Sequence, residues 1–80
     1  MDKNEFEDKW EQIRGQSKVW WSLITDLDLD QVQKADNKFF EYVRILQFKY
    51  GYDRPVAKDE IGRRVAEYET KLKTLIATRP

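Results

Sequence analysis

The clearest chemical spacing in this sequence belongs to Asp26, Asp28 and Asp30, which occupy every second position of the stretch ITDLDLDQV. Carboxylates at the first, third and fifth positions are how a calcium-binding loop begins. Such a loop also needs glycine at its sixth position and a bidentate glutamate at its twelfth, and those positions hold Gln31 and Asn37. The ligand pattern therefore argues against a calcium site and favours a helix start.

The same stretch has the local pattern of a helix N-terminus. Thr25, followed three residues later by Asp28, predicts a capping box, in which the hydroxyl accepts a free backbone amide and the carboxylate reaches back to the Thr25 amide. Negative charges in the first turns also suit the positive end of the helix dipole. Leu29 and Val32 then face the core. We therefore expect the aspartates to support a helix rather than to bind a metal.

The amino-acid composition limits the chemistry open to the chain. It contains no cysteine and no histidine, which excludes disulfides, histidine-ligated zinc and Ser-His or Cys-His catalytic pairs built from this chain alone. The remaining carboxylate pairs lie beside lysine, arginine or water-facing positions rather than in a desolvated cleft. We therefore predict a protein that is not an enzyme and has no cofactor, no metal site and no evident small-molecule substrate.

Charge and hydropathy argue against nucleic acid and membrane as partners. Fifteen basic and fifteen acidic residues give a net charge of zero, without the basic surplus that such partners favour. Arg44, Lys49, Arg54 and Lys58 are isolated by acidic or apolar neighbours, so a nucleic-acid-binding module is only the alternative function. The first residues, MDKNEFEDKW, lack the apolar region of a signal peptide, and no window reaches the roughly 18 apolar residues of a membrane span. A soluble, cytoplasmic protein is expected.

Apolar residues at helical spacing predict an all-α fold without strands, as a single domain over residues 1–80. Four helices are expected, the last of them an extended C-terminal helix. The first covers Phe6 to Ile24 with a bend or break near Gly15 to Ser17, the second is opened by Thr25, the third is capped by Asp36 or Asn37 and ended by Gly51, and the fourth runs from Pro55 to Thr78.

One set of residues has a spacing that extends beyond any single helix. It comprises Lys9-Trp10, Gln12, Gly15, Lys18, Trp21, Ile24-Thr25-Asp26 and Asp28-Leu29, then Val43, Gln47, Tyr50-Gly51, Ala57 and Glu60-Ile61. This pattern resembles the CsbD-like family of small bacterial stress proteins over residues 6–65. The chain departs from the family pattern between Thr25 and Gly51, which is longer here, and at Arg44, where the family commonly has glycine.

The resemblance implies a compact domain of four helices packed as two crossing α-hairpins. It also implies a bacterial protein that accumulates during general stress and has no catalytic residues to carry over. We therefore expect a non-enzymatic stress-response protein that acts through protein contacts or through its abundance.

Apolar residues outside the main helical stripes, together with two on the stripe at the C-terminal end of the fourth helix, are the candidates for such contacts. Trp10 and Trp21 fall on one stripe and are predicted to be core residues. A second helix face could bury the others, or they could form a contact surface for another protein or a second copy of the chain. We expect mostly a monomer, with at most a weak homodimer. The candidate contact residues are Val19, Leu23, Ile45, Phe48, Leu72 and Leu75.

Overall fold

The computed structural model describes residues 1–77, with side chains as far as Leu75. Its described residues form five α-helices and no strand: α1 Lys3–Asp8, α2 Trp10–Trp20, α3 Asp26–Lys34, α4 Lys38–Tyr50 and α5 Arg54–Ala77. The predicted all-α class is therefore confirmed, whereas the predicted number of four helices is wrong. The structure does not confirm the arrangement as two crossing hairpins, and the predicted helix end at Thr78 lies outside the described residues.

The additional helix arises because the first predicted helix is divided at Lys9, whose backbone angles of φ −102° and ψ 10° are not helical. The expected break near Gly15 is wrong, and α2 continues through that glycine. Ile13 and Ser17, on either side of Gly15, are fully buried, and the Ser17 hydroxyl donates a 2.6 Å hydrogen bond to the Ile13 carbonyl oxygen. Burial of these neighbours offsets the roughly 1 kcal/mol that glycine costs in a helix interior.

The chain leaves α2 at Trp21, which is extended, with φ −136° and ψ 104°. The end of α4 holds the turn that follows. The Leu23 amide donates to the Tyr50 hydroxyl at 3.0 Å, and Lys49 Nζ donates to the Leu23 carbonyl oxygen at 2.7 Å. Trp21 and Ile24 are buried although they lie outside the helix. The predicted burial of Trp21 is therefore confirmed, and the predicted place of both residues in the first helix is wrong.

Local signals set the start of α3 and both ends of α4 as predicted. Thr25 and Asp28 form the capping box, with the Asp28 amide donating to Thr25 Oγ1 at 3.2 Å and the Thr25 amide to Asp28 Oδ2 at 3.0 Å. Asn37 Oδ1 caps α4 by accepting from the Phe40 amide at 3.0 Å. At Gly51, φ is 70°, in the left-handed region that glycine adopts at low steric cost, and α4 ends there.

α4 is the central helix and contacts α1, α3 and α5. Its Tyr42 ring lies among other aromatic rings, with centroid distances of 5.3 Å to Phe6, 6.3 Å to Trp10 and 5.9 Å to Trp21. Trp10 and Trp21 are 3% and 2% exposed, which confirms both as core residues. Aromatic side chains bury the largest apolar areas, so this cluster contributes much of the stability of a small domain.

α5 packs on the core through its first half. Ala57, Ile61 and Val65 are buried, Leu72 is half-buried and Leu75 is exposed. At a rise of about 1.5 Å per residue, α5 is about 36 Å long, in a molecule that measures 43 × 24 × 23 Å. The C-terminal part of α5 therefore extends beyond the main core. Neither α5 nor any other helix within residues 1–77 is long and apolar enough to cross a membrane.

Candidate functional site

The three aspartates of the opening motif diverge instead of converging on one point. Asp26 pairs with Lys18 at 2.8 Å and Asp30 with Arg14 at 2.9 Å, so both carboxylates bind α2. Asp28 pairs with Lys49 of α4. No group of three or more carboxylates placed to hold a metal ion occurs in the part of the chain that the structure describes. Each aspartate instead joins α3 to a neighbouring helix through its own cation.

Two of these carboxyl groups have shifted pKa values. Partial burial opposes ionisation of Asp28, but hydrogen bonds from Lys49 and Thr25, together with the charge of Lys49, outweigh it and hold the pKa of Asp28 below its ordinary value. The hydrogen bond and charge of Lys18 lower the pKa of Asp26. A carboxylate with a lowered pKa is a weak base, so these groups are poorly suited to general-base catalysis at neutral pH.

Tyr42 and Ser17 are the buried hydroxyl groups of the core. The Tyr42 hydroxyl donates to Ser17 Oγ at 2.7 Å, and Ser17 in turn donates to the carbonyl oxygen of Ile13 at 2.6 Å. Burial raises the pKa of Tyr42 well above its ordinary value, which keeps its hydroxyl neutral. The pair connects α4 to α2 inside the core and has no base beside it to activate a nucleophile.

An apolar recess lies where α3 meets α4, and we call it the α3–α4 surface. It encloses about 330 Å³. Ile45 is only 8% exposed and lies deep in this recess, whereas Phe48 is 86% exposed at its edge. Leu23 is next to the end of α4 because of its contacts with Lys49 and Tyr50. The residues that line the α3–α4 surface are Asp28, Gln31, Arg44, Ile45, Phe48 and Lys49.

The structure separates the other predicted contact residues from this surface. Val19 is 77% exposed and lines a shallow groove between α2 and α5, beside Trp20 and Tyr68. Leu72 is half-buried and Leu75 is 56% exposed, both on the last turns of α5. The six residues grouped from the sequence therefore lie in three places, and the structure brings Ile45 and Phe48 together, with Leu23 nearby.

A second pocket brings together residues at the beginnings of α1, α4 and α5. Lys3 of α1 and Arg54 and Lys58 of α5 line it, and we call it the cationic pocket; it encloses about 280 Å³. Its apolar wall is formed by α4. The Arg54 guanidinium carbon lies 5.1 Å from the centroid of the Phe40 ring, and Lys58 Nζ lies 5.8 Å from the centroid of Phe39. The remaining lining residues are Met1, Asp2, Asn37 and Val43.

The cationic pocket overturns the expectation that Arg54 and Lys58 are isolated. Their spacing of four residues places both on one face of α5, and this was the signal available in the sequence. Lys3 could not be added to them because it is far away along the chain. Among the ion pairs formed within residues 1–77, none includes Lys3, Arg54 or Lys58. Asp2 is the carboxylate that lines the pocket, and it accepts the Glu5 amide at 2.9 Å.

Comparison with known proteins finds relatives in bacteria. The chain is 36% identical over 73 residues to UPF0337 protein RPA4217 of Rhodopseudomonas palustris, an alignment that covers 91% of this chain and 100% of that protein. It is 31% identical over 71 residues to UPF0337 protein YjbJ of Escherichia coli, covering 89% of this chain and 93% of YjbJ. No family model and no solved structure matches the chain. The names of these relatives state no activity, ligand or partner.

Proposed function

We propose that this chain, which belongs to the UPF0337 or CsbD-like family of bacterial proteins, acts in the stress response by binding another protein, without catalysis of its own. The partner inserts an apolar side chain into the α3–α4 surface. The stress-response part of the proposal is supported by the resemblance to the CsbD-like stress proteins. The binding part is supported by a single observation, the exposure of Phe48.

Phe48 is 86% exposed although it lies on the central helix, two positions after the fully buried Leu46. A phenylalanine ring held in water loses the favourable free energy of burial, and burying such a side chain is worth about 1.5–3 kcal/mol. Ile45, beneath it, offers an apolar floor that a partner side chain can reach. An exposed aromatic anchor beside an apolar recess is the arrangement from which binding hot spots are built.

The edge of the α3–α4 surface is polar and already paired. Lys49 forms its ion pair with Asp28, and Arg44 pairs with Glu41 at 2.7 Å. Interfaces commonly have an apolar centre surrounded by a polar rim. Because these rim charges have partners within the chain, the surface favours a protein that contributes apolar area over one that contributes net charge.

Binding without catalysis is also supported by the state of the titratable groups. The carboxylates of the aspartate motif are each engaged with a cation, and the pKa values of Asp26 and Asp28 are lowered. Tyr42 is buried, with a raised pKa. A catalytic site instead needs a nucleophile, a base and a third group in mutual contact.

The proposal is tested by placing a photo-crosslinking residue at position 48 or 23 in bacteria exposed in parallel to heat, salt and starvation. Position 19 serves as the control because Val19 is similarly exposed but lies in the groove between α2 and α5. We expect one dominant protein adduct from positions 48 and 23 and none from position 19. With that protein purified, Phe48→Ser should weaken binding at least about tenfold, as expected for an aromatic hot spot.

Survival after stress provides the functional measurement. In a strain that lacks the gene, the Phe48→Ser chain should fail to restore survival, whereas Val19→Ser should restore it. Circular dichroism first confirms that both variants are folded. Restoration by Phe48→Ser, or partner binding that this substitution leaves unchanged, would contradict the proposal.

A further inference from the structure

The cationic pocket is separate from the α3–α4 surface and has a different chemical character. Its lining places three basic side chains around a space of about 280 Å³, with the single carboxylate of Asp2. Several basic residues elsewhere in the described chain, including Arg14, Lys18 and Lys49, instead have a carboxylate partner. Three neighbouring cations without ion pairs repel one another, and an anion placed between them removes that repulsion.

The aromatic rings of α4 orient these cations. Arg54 lies over the Phe40 ring and Lys58 over the Phe39 ring. A guanidinium that stacks its face on an aromatic ring keeps the N–H groups at its edge available, and that fork matches two oxygens of a phosphate group. Lys58 adds a point charge. Arg54 and Lys58 are exposed, and their ring contacts restrict their motion, which lowers the entropic cost of ordering them around a ligand.

Charge and size select the ligand class. Three cations and one carboxylate give the lining side chains a net charge of two positive units, and a phosphate monoester carries about −1.5 to −2 at neutral pH. A carboxylate or a phosphodiester brings about half that charge per group. Phe39, Phe40 and Val43 supply an apolar wall next to the cations. The volume is just below the common range for ligand sites, about 300–1,000 Å³, so only a small ligand fits.

We propose that the cationic pocket binds a small phosphate monoester whose remaining part is apolar or aromatic, with Arg54, Lys58 and Lys3 contacting the phosphate and α4 contacting the apolar part. The N-termini of α4 and α5 also lie at this pocket, since Asn37 and Arg54 line it. Their dipoles add to the same positive potential.

Phenyl phosphate is the probe, and the full chain is titrated at low salt while backbone amide signals are followed by NMR. We expect saturable shifts concentrated at Phe39, Phe40 and Lys58. Phenyl sulfate is the matched ligand because it has nearly the same shape with one negative charge, and it should bind about tenfold more weakly if the second charge contributes one charge-assisted contact. Inorganic phosphate should also bind more weakly, since it cannot contact the apolar wall.

Lys58→Gln and Arg54→Gln should each weaken phenyl phosphate binding about tenfold, the effect of one lost charge-assisted contact. Lys71→Gln is the control because Lys71 is an exposed lysine of the same helix, about 20 Å further along its axis at 1.5 Å per residue. Its substitution makes the same change in net charge and should leave binding unchanged. All three variants replace exposed side chains, and unchanged amide spectra without ligand would confirm that they are folded.

Four results would overturn the proposal. They are no saturable binding of phenyl phosphate, equal weakening in Lys71→Gln, equal affinity for phenyl sulfate, and equal affinity for inorganic phosphate.

Titration with a short single-stranded oligonucleotide tests whether the pocket is part of a nucleic-acid site. If it binds more tightly than phenyl phosphate and loses affinity in the Lys58→Gln variant, the pocket belongs to a nucleic-acid site instead. Phe48→Ser should not affect any of these titrations, so this proposal and the protein-binding proposal fail independently.

Discussion

Two regions of the molecule use basic residues in different ways. On the side formed by α2, α3 and the end of α4, Arg14, Lys18 and Lys49 each pair with one aspartate of the same motif. At the cationic pocket, where α1, α4 and α5 begin, three basic residues surround aromatic rings and have no ion pair within the described chain. The net charge of zero conceals this difference, because it averages over the whole chain.

Basic residues with an ion pair support the fold, whereas the basic residues of the cationic pocket remain available to a ligand. An ion pair satisfies both groups and fixes one helix against another, as Lys49 and Asp28 fix α4 against α3. An unpaired cation over an aromatic ring contributes less to the fold and retains its hydrogen-bond donors. Net charge is therefore a poor guide to binding in this protein, and the pairing of each charge is the better one.

The largest expected effect comes from removing a ring of the core that both regions share. Trp21→Ala should lower the free energy of unfolding by about 3–5 kcal/mol, because the residue is buried against Tyr42 and a cavity remains. Phe40→Ala, at the cationic pocket, should cost much less, since Phe40 is 49% exposed. Urea unfolding followed by circular dichroism measures both, and equal losses would contradict the assignment of the core.

The free energy of unfolding should depend on pH through Asp28, which belongs to the region where basic residues pair with aspartates. Asp28→Asn should cost about 1–2 kcal/mol at pH 7, through the loss of the Lys49 ion pair and the weakened capping box. Because the folded pKa of Asp28 is lowered, its contribution is complete above the unfolded pKa of about 4 and is lost as pH falls through the folded value. Urea unfolding of both chains at neutral pH and at a series of acidic pH values measures the difference. An equal loss at neutral pH and well below the folded pKa would contradict this account.

The smallest expected effect is at the cationic pocket. Lys58→Gln should change the free energy of unfolding by less than about 0.5 kcal/mol, because a lost cation–π contact is offset by reduced repulsion from Arg54 and Lys3. Lys49→Gln is the matched change at a lysine that has an ion pair, with Asp28. It should be the more destabilising of the two. Unfolding measured at low and high salt compares them, and a larger loss for Lys58→Gln would remove the distinction between the two regions.

The features that the sequence predicted well depend on neighbouring residues. Thr25 and Asp28 are three positions apart and form the expected capping box, and Gly51 ends α4 with the expected left-handed conformation. Burial of Trp10 and Trp21 followed from their size and spacing. In each case the responsible physical interaction is local, or depends on the residue type alone.

The features that the sequence did not predict depend on residues far apart in the chain. The helix breaks at Lys9 and continues through Gly15, where burial of Ile13 and Ser17 outweighs the low helix preference of glycine. The cationic pocket needs Lys3 to meet Lys58 across three helices. Periodicity within one helix contains no information on such meetings. The six predicted contact residues were dispersed for the same reason.

The ion pair between Lys9 and Glu69, at 2.8 Å, has a consequence for the order in which the chain folds during synthesis. Phe6 meets its partners on α4 once the middle of the chain has been made, whereas the break at Lys9 gains its carboxylate only when α5 is nearly complete. Because a partly exposed ion pair is worth about 0–1 kcal/mol, we expect nascent chains that end before Glu69 to be cleaved near Lys9 at most about fivefold faster than the full chain, which pulse proteolysis of chains of graded length measures. The last helix thereby stabilises the junction between α1 and α2 only late in synthesis.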